Sequence, residues 1–140
     1  MWILVKKRLV VLMLASASPA LAGDLAPCPE SPNCVSSQAQ RESQKVDALL
    51  GGSSAEQART ALLAVLEGMP RVTVTADADG RIEAEFTSAV MRFTDDVVFV
   101  VNDDGSIDVR SASRVGYWDL GANRRRVEDL QQALLEQAAE

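Results

Sequence analysis

The chain has 140 residues, with 14 Lys and Arg against 20 Asp and Glu and a net charge of −6. That length holds one domain at most. Histidine is absent, which excludes a Ser-His-Asp triad, a Cys-His dyad and any His-ligated zinc site.

Residues 1–22 read as a secretory signal peptide. Lys6, Lys7 and Arg8 form a positive region, Leu9 to Ala15 an apolar one, and Ala20-Leu21-Ala22 a small-residue cleavage site. Cleavage is expected after Ala22. A retained membrane anchor would need about 20 apolar residues, but Ser16, Ser18 and Pro19 interrupt the run. Lipidation of Cys28 is disfavoured by the adjacent Pro27 and by its distance from the apolar region. The expected location is therefore the periplasm or the extracellular space. Removing the leader leaves eleven cations against twenty acids, a balance of −9. Such a chain is a poor general binder of nucleic acid.

Cys28 and Cys34 are the only cysteines. Two close cysteines in an exported chain point to one disulfide. They lack the C-x-x-C spacing of redox sites. Residues 23–44, rich in Ser, Pro, Gln and Asn, read as an extended arm anchored by that loop, and residues 45–140 as a single domain.

Lys45 to Leu50 reads as a short strand, broken by Gly51 and Gly52. Ser54 and Gln57 fit a helix capping box. Ala58, Leu62, Val65, Leu66 and Met69 follow at helical spacing, and Gly68 and Pro70 end the helix. Val72, Val74 and Ala76 then alternate with polar residues, as do Ile82, Ala84 and Phe86. Apolar residues in both strands are even-numbered, so paired numbers must sum to an even value to share a face. A three-residue loop of Ala78, Asp79 and Gly80 satisfies this. By the same argument Asp103, Asp104 and Gly105 form a three-residue loop that pairs Asn102 with Ser106 and Asp96 with Ala112. The two aspartates there lack the spaced oxygen set of a calcium loop and read as turn residues. A last helix begins near Asn123, its expected N-cap, and carries the stripe Val127, Leu130 and Leu134. The fold class is α+β: an antiparallel sheet of about four to five strands with two helices packed on one face.

Charge concentrates between Arg92 and Arg126. The register puts Asp96 between Arg110 and Arg114 on the face opposite Phe99 and Ile107, which suggests a structural network with Asp95, Asp119 and Arg126. Arg124, Arg125 and Arg126 fall in the first turn of the last helix, where cations are unfavourable unless answered by a negative group. That group is either the nearby aspartates or an anionic ligand held by Arg110, Ser111, Ser113, Arg114, Tyr117, Asn123 and Arg124.

The segments CPESPNCVSS, FTSAVMRFTDDVVF and RSASRVGYWDLGANRRRVEDL resemble a bacterial family known as domain of unknown function 1499. The resemblance covers Cys28 to Leu134. The chain departs from the family at Val98, often glutamate, and at Trp118, where a small or polar residue is usual. The family implies no activity.

The reading that follows is a non-enzymatic module binding an anionic small molecule, lipid headgroup, glycan or envelope protein, with no cofactor and no metal. The alternative is an envelope assembly factor whose Arg–Asp network is purely structural. An enzyme with Asp95 or Asp96 as acid or base and Ser88, Ser111 or Ser113 as nucleophile lacks a group to activate the serine. Adjacent strand residues also point to opposite faces, so the two aspartates cannot share a proton.

Overall fold

A computed structural model describes residues 23–140. The expected leader, residues 1–22, lies outside the described residues.

Six antiparallel strands and two helices follow in the order β1 (Cys34–Ser36), β2 (Leu49–Leu50), α1 (Ala55–Gly68), β3 (Val72–Ala78), β4 (Arg81–Thr87), β5 (Thr94–Val101), β6 (Ser106–Ser113) and α2 (Ala122–Ala138). The sheet order is β1-β6-β5-β4-β3, with β2 also on β6. The fold is α+β, with one strand more than the sequence suggested.

That strand is β1. The expected arm is not held by its disulfide alone, because Cys34, Val35 and Ser36 pair with Ala112, Ser111 and Arg110. Three residues are too few to show alternation, so periodicity cannot reveal such a strand. The Cys28–Cys34 disulfide is formed. Strands β1 and β2 lie end to end along β6. Ser37 fills the gap between them: its amide donates to Val109 O, and its hydroxyl accepts from Val109 N.

The β5–β6 hairpin has the anticipated register, with Asp96 opposite Ala112 and Val101 opposite Ile107. Its loop closes through Asn102 N to Ser106 O. The β3–β4 hairpin differs at its turn. Val72 pairs with Phe86 and Val74 with Ala84, the parity that the apolar pattern demands. The turn, however, is the two-residue Asp79-Gly80, with both residues at positive φ as a type I′ hairpin requires. Parity is restored by a bulge between Val74 and Ala76 rather than by a longer loop. The edge strand thereby gains a kink, which discourages further pairing.

The cap of α1 is Ser54, whose hydroxyl accepts from Gln57 N. The Gln57 side chain answers at Ser53 N rather than at Ser54. Val97, Phe99, Ile107 and Val109 form one cluster with Leu62 and Leu66 of α1 and with Val127, Leu130 and Leu134 of α2. The buried stripes of both helices thus join the odd-numbered residues of β5 and β6 in one core. The even-numbered face carries Asp96, Arg110 and Arg114. Across it runs the N-terminal segment, with Leu25 buried and Arg110 Nη2 donating to Pro27 O at 3.4 Å.

Candidate functional site

The sequence-predicted residues do not converge on one pocket. They divide among three places. Inside, between β5, β6 and the start of α2, lies a polar plug centred on Asn123, which is fully buried. Its Oδ1 accepts from Ser111 Oγ at 2.6 Å and from Arg126 Nη1 at 2.7 Å. Its Nδ2 lies 2.9 Å from Ser113 Oγ, 2.8 Å from Asp119 Oδ2 and 3.1 Å from the carbonyl of Asn33. Arg126 continues to Asp95 Oδ2 at 2.6 Å, both side chains being nearly buried, and its guanidinium stacks 5.0 Å from the Phe86 ring centroid. A buried pair of this kind is held in place by its extra hydrogen bonds more than by its own attraction.

The expected N-cap, Asn123, is therefore one residue inside the helix, whose N-cap is Gly121 in the left-handed conformation. Asp119 takes over the capping role. Its two oxygens accept from Gly121 N at 2.8 Å and Asn123 N at 3.0 Å. Burial pushes the Asp119 carboxyl up, but the bonds from the Asn123 backbone and side chain and from Gly121 outweigh it and hold it below the usual range. A carboxylate at this helix end also answers the dipole.

On the outer face, Glu85 stands directly opposite Asp96, an unfavourable like-charge pair. Arg114 bridges both, at 2.9 Å to Glu85 and 2.6 Å to Asp96. The Asp96 bonds, then the Glu85 bond, hold its guanidinium more firmly protonated than usual. Arg110 does not complete the symmetric arrangement: its Nε is buried without a partner. Burial under the N-terminal segment lowers its proton affinity, and the Asp96 charge opposes that shift.

Arg124 lies elsewhere. It donates to the carbonyls of Ser43 at 2.9 Å and Lys45 at 3.0 Å. Arg125 donates to Leu120 O at 2.7 Å. The three cations of the first turn are thus answered differently, one by a carboxylate and two by backbone carbonyls.

Nothing in the plug resembles an activated nucleophile. The Ser111 hydroxyl donates to an amide oxygen, which cannot take its proton, and Ser88 Oγ accepts from Phe93 N at 2.9 Å. Asp95 and Asp96 face opposite sides of the sheet. Among the described residues no group of three or more acids or thiols could hold a metal ion.

The third place is the end of the sheet above the plug. There the β4–β5 loop exposes Val90, Met91 and Phe93, and the β6–α2 loop exposes Val115, Tyr117, Trp118 and Leu120. Backbone and side-chain bonds tie the strand ends that carry these loops to their neighbours. Thr87 N donates to Arg71 O, Arg114 N to Thr94 O, and Asn33 Nδ2 to Gly116 O. Arg92 and Leu120 in these loops, and Arg71 in the α1–β3 turn, all have positive φ, a strain that persists only where surrounding contacts impose it.

The sequence matches the family described as "Protein of unknown function (DUF1499)" over residues 24–134. The chain belongs to this family. No curated protein matches it. The matched span of this DUF1499 chain contains the disulfide, the plug and both loops of the exposed end.

Sequence reasoning missed Asn33 as a plug residue, although it stands within the CPESPNC segment. It also missed Val90, Met91, Phe93, Val115 and Leu120. Their signal was apolar side chains in segments with neither strand nor helix periodicity.

Proposed function

We propose that this protein is a non-enzymatic binding module of the cell envelope, exported to the periplasm or beyond after cleavage near Ala22. It engages an anionic partner through the loop end of its sheet, which exposes Arg71, Arg92, Tyr117 and Trp118 and borders Arg114, the first residue after β6. The observation that carries this reading is the crowding of exposed apolar side chains into two loops at one end of the molecule. Large contiguous exposed apolar patches on small domains mark interaction sites. Ser111, Ser113, Asn123, Asp95, Asp119 and Arg126 serve this surface as its frame, and Arg124 ties α2 to the 43–45 segment. Export is supported by the leader pattern and by the disulfide, which fits an oxidising compartment. Among the described residues no helix is long and apolar enough to cross a membrane.

Photo-crosslinking in the producing cell tests the reading. A photoreactive residue at position 117 should yield an adduct with an envelope component, and one at Gln132 on α2 should not. Equal yields at both positions, or none at 117, overturn it.

A further inference from the structure

We infer that the loop end is a membrane-docking tip that inserts its apolar side chains into an anionic phospholipid surface. The inference rests on the binding reading above and names its partner.

Shape is the first argument. Val90 is 88% exposed, and Tyr117 and Trp118 are each 69% exposed, so these side chains protrude rather than line a groove. Two clefts occur elsewhere, one beside Leu25 and Gln38 and one between β2 and α2, and none of these loop residues lines either. A protruding tip suits a soft surface that closes around it. The 88–93 loop is also pinned, with Ser88 N donating to Phe93 O and Phe93 N to Ser88 Oγ. Presentation in a fixed geometry lowers the entropic cost of binding.

Side-chain chemistry is the second. Trp118 and Tyr117 combine an apolar body with a polar edge, the pair enriched where hydrocarbon meets water. Beside them stand aliphatic and Phe side chains able to sit deeper.

Charge is the third. The loops at this end, 69–71, 88–93 and 114–121, contain Arg71, Arg92 and Arg114 but one acid, Asp119; Arg114 is paired with Glu85 and Asp96, so Arg71 and Arg92 carry the attraction. Asp119 is turned inward to cap α2. Arg71 and Arg92 are exposed, and neither has a carboxylate partner among the described residues. Residues 23–140 as a whole carry −9. An anionic membrane therefore repels the body and attracts this end, which orients the approach.

The test uses the processed protein, residues 23–140, in which Trp118 is the sole tryptophan. Trp118 emission is followed on vesicles of phosphatidylglycerol and bromine-labelled phosphatidylcholine in equal parts, and on bromine-labelled phosphatidylcholine alone. Blue-shifted, quenched emission on the anionic vesicles is expected, with little change on the neutral ones. Arg71→Gln and Arg92→Gln should each weaken partitioning roughly five-fold. Phe93→Ser should reduce quenching while leaving the circular dichroism of the exposed-loop variant unchanged. Absence of quenching on anionic vesicles overturns the inference, as does a Trp118 shift that appears without lipid and tracks dimer formation. If vesicles fail but crosslinking at 117 captures an envelope protein, the membrane is the wrong partner and the binding reading stands. If both fail, both fall.

Discussion

Replacing Asn123 with alanine probes the centre of the plug. The substitution removes the oxygen that accepts from Ser111 and Arg126 and the amide group facing Asn33, Ser113 and Asp119. Ser111 is fully buried, so its hydroxyl is left without its acceptor. The Asn33 carbonyl loses one donor and keeps Ser113 N. A buried polar group left unsatisfied costs roughly 1–3 kcal/mol. Arg126 keeps Asp95 and part of its bonding. The stranded Ser111 hydroxyl, the bonds lost at Asn33, Ser113, Asp119 and Arg126 and a small cavity together predict a loss of about 3–5 kcal/mol. For a domain of this size that corresponds to a fall in Tm of roughly 10–20 °C. The measurement is urea unfolding followed by far-ultraviolet circular dichroism, with thermal melts alongside. Asn123→Asp is the informative companion. It preserves shape and both acceptor contacts but sets an oxygen against the Asn33 carbonyl and the Asp119 carboxylate. Its loss should approach that of the alanine variant at neutral pH. If Asn123→Ala lies within about 1 kcal/mol of the parent, or Asn123→Asp is as stable as the parent, the plug is not the frame described above.

The remaining predictions contrast buried and exposed versions of the same chemistry. Asp95→Ala leaves Arg126 as a nearly buried unpaired cation and should cost about 3–5 kcal/mol, whereas Asp96→Ala removes an exposed partner of Arg114 and should cost about 1 kcal/mol or less; comparable denaturant midpoints for the two would refute the distinction. Asp119 titrates below its unfolded value near 3.9, so its contribution is present above that value and is lost as pH falls through the folded one. Stability measured across this acid range should therefore decline less steeply in Asp119→Asn than in the parent, and parallel profiles would contradict the capping role. Gly105 has φ +87, and a Cβ there would lie 2.1 Å from the Gly52 carbonyl oxygen. Gly105→Ala should lower stability by roughly 2–3 kcal/mol, and a chemical-denaturation midpoint equal to that of the parent would show that the 51–54 segment yields freely.

How much of this was legible beforehand depends on the range of the interaction. Local patterns carried both helices. Ser54 and Gln57 marked the start of α1, and the spacings of Leu62 with Leu66 and of Leu130 with Leu134 marked the buried stripes, because helical periodicity is a property of near neighbours. The parity of Val97, Phe99, Ile107 and Val109 also determined the β5–β6 register, since a one-residue slip would turn every apolar side chain to the other face. The same parity set Val72 opposite Phe86, but parity does not say where an extra residue is absorbed, and the bulge in β3 took it rather than the turn. By itself, then, the sequence determined the fold class, the helices, the disulfide candidates and the faces of the central strands. Only the tertiary structure decided that Arg126 reaches Asp95 while Arg110 has no carboxylate partner among the described residues, that β1 completes the sheet, and that Phe93 and Trp118 are exposed at the same end of it. These depend on contacts between residues far apart in the chain. Their geometry follows from how the layers pack, and no local spacing encodes it.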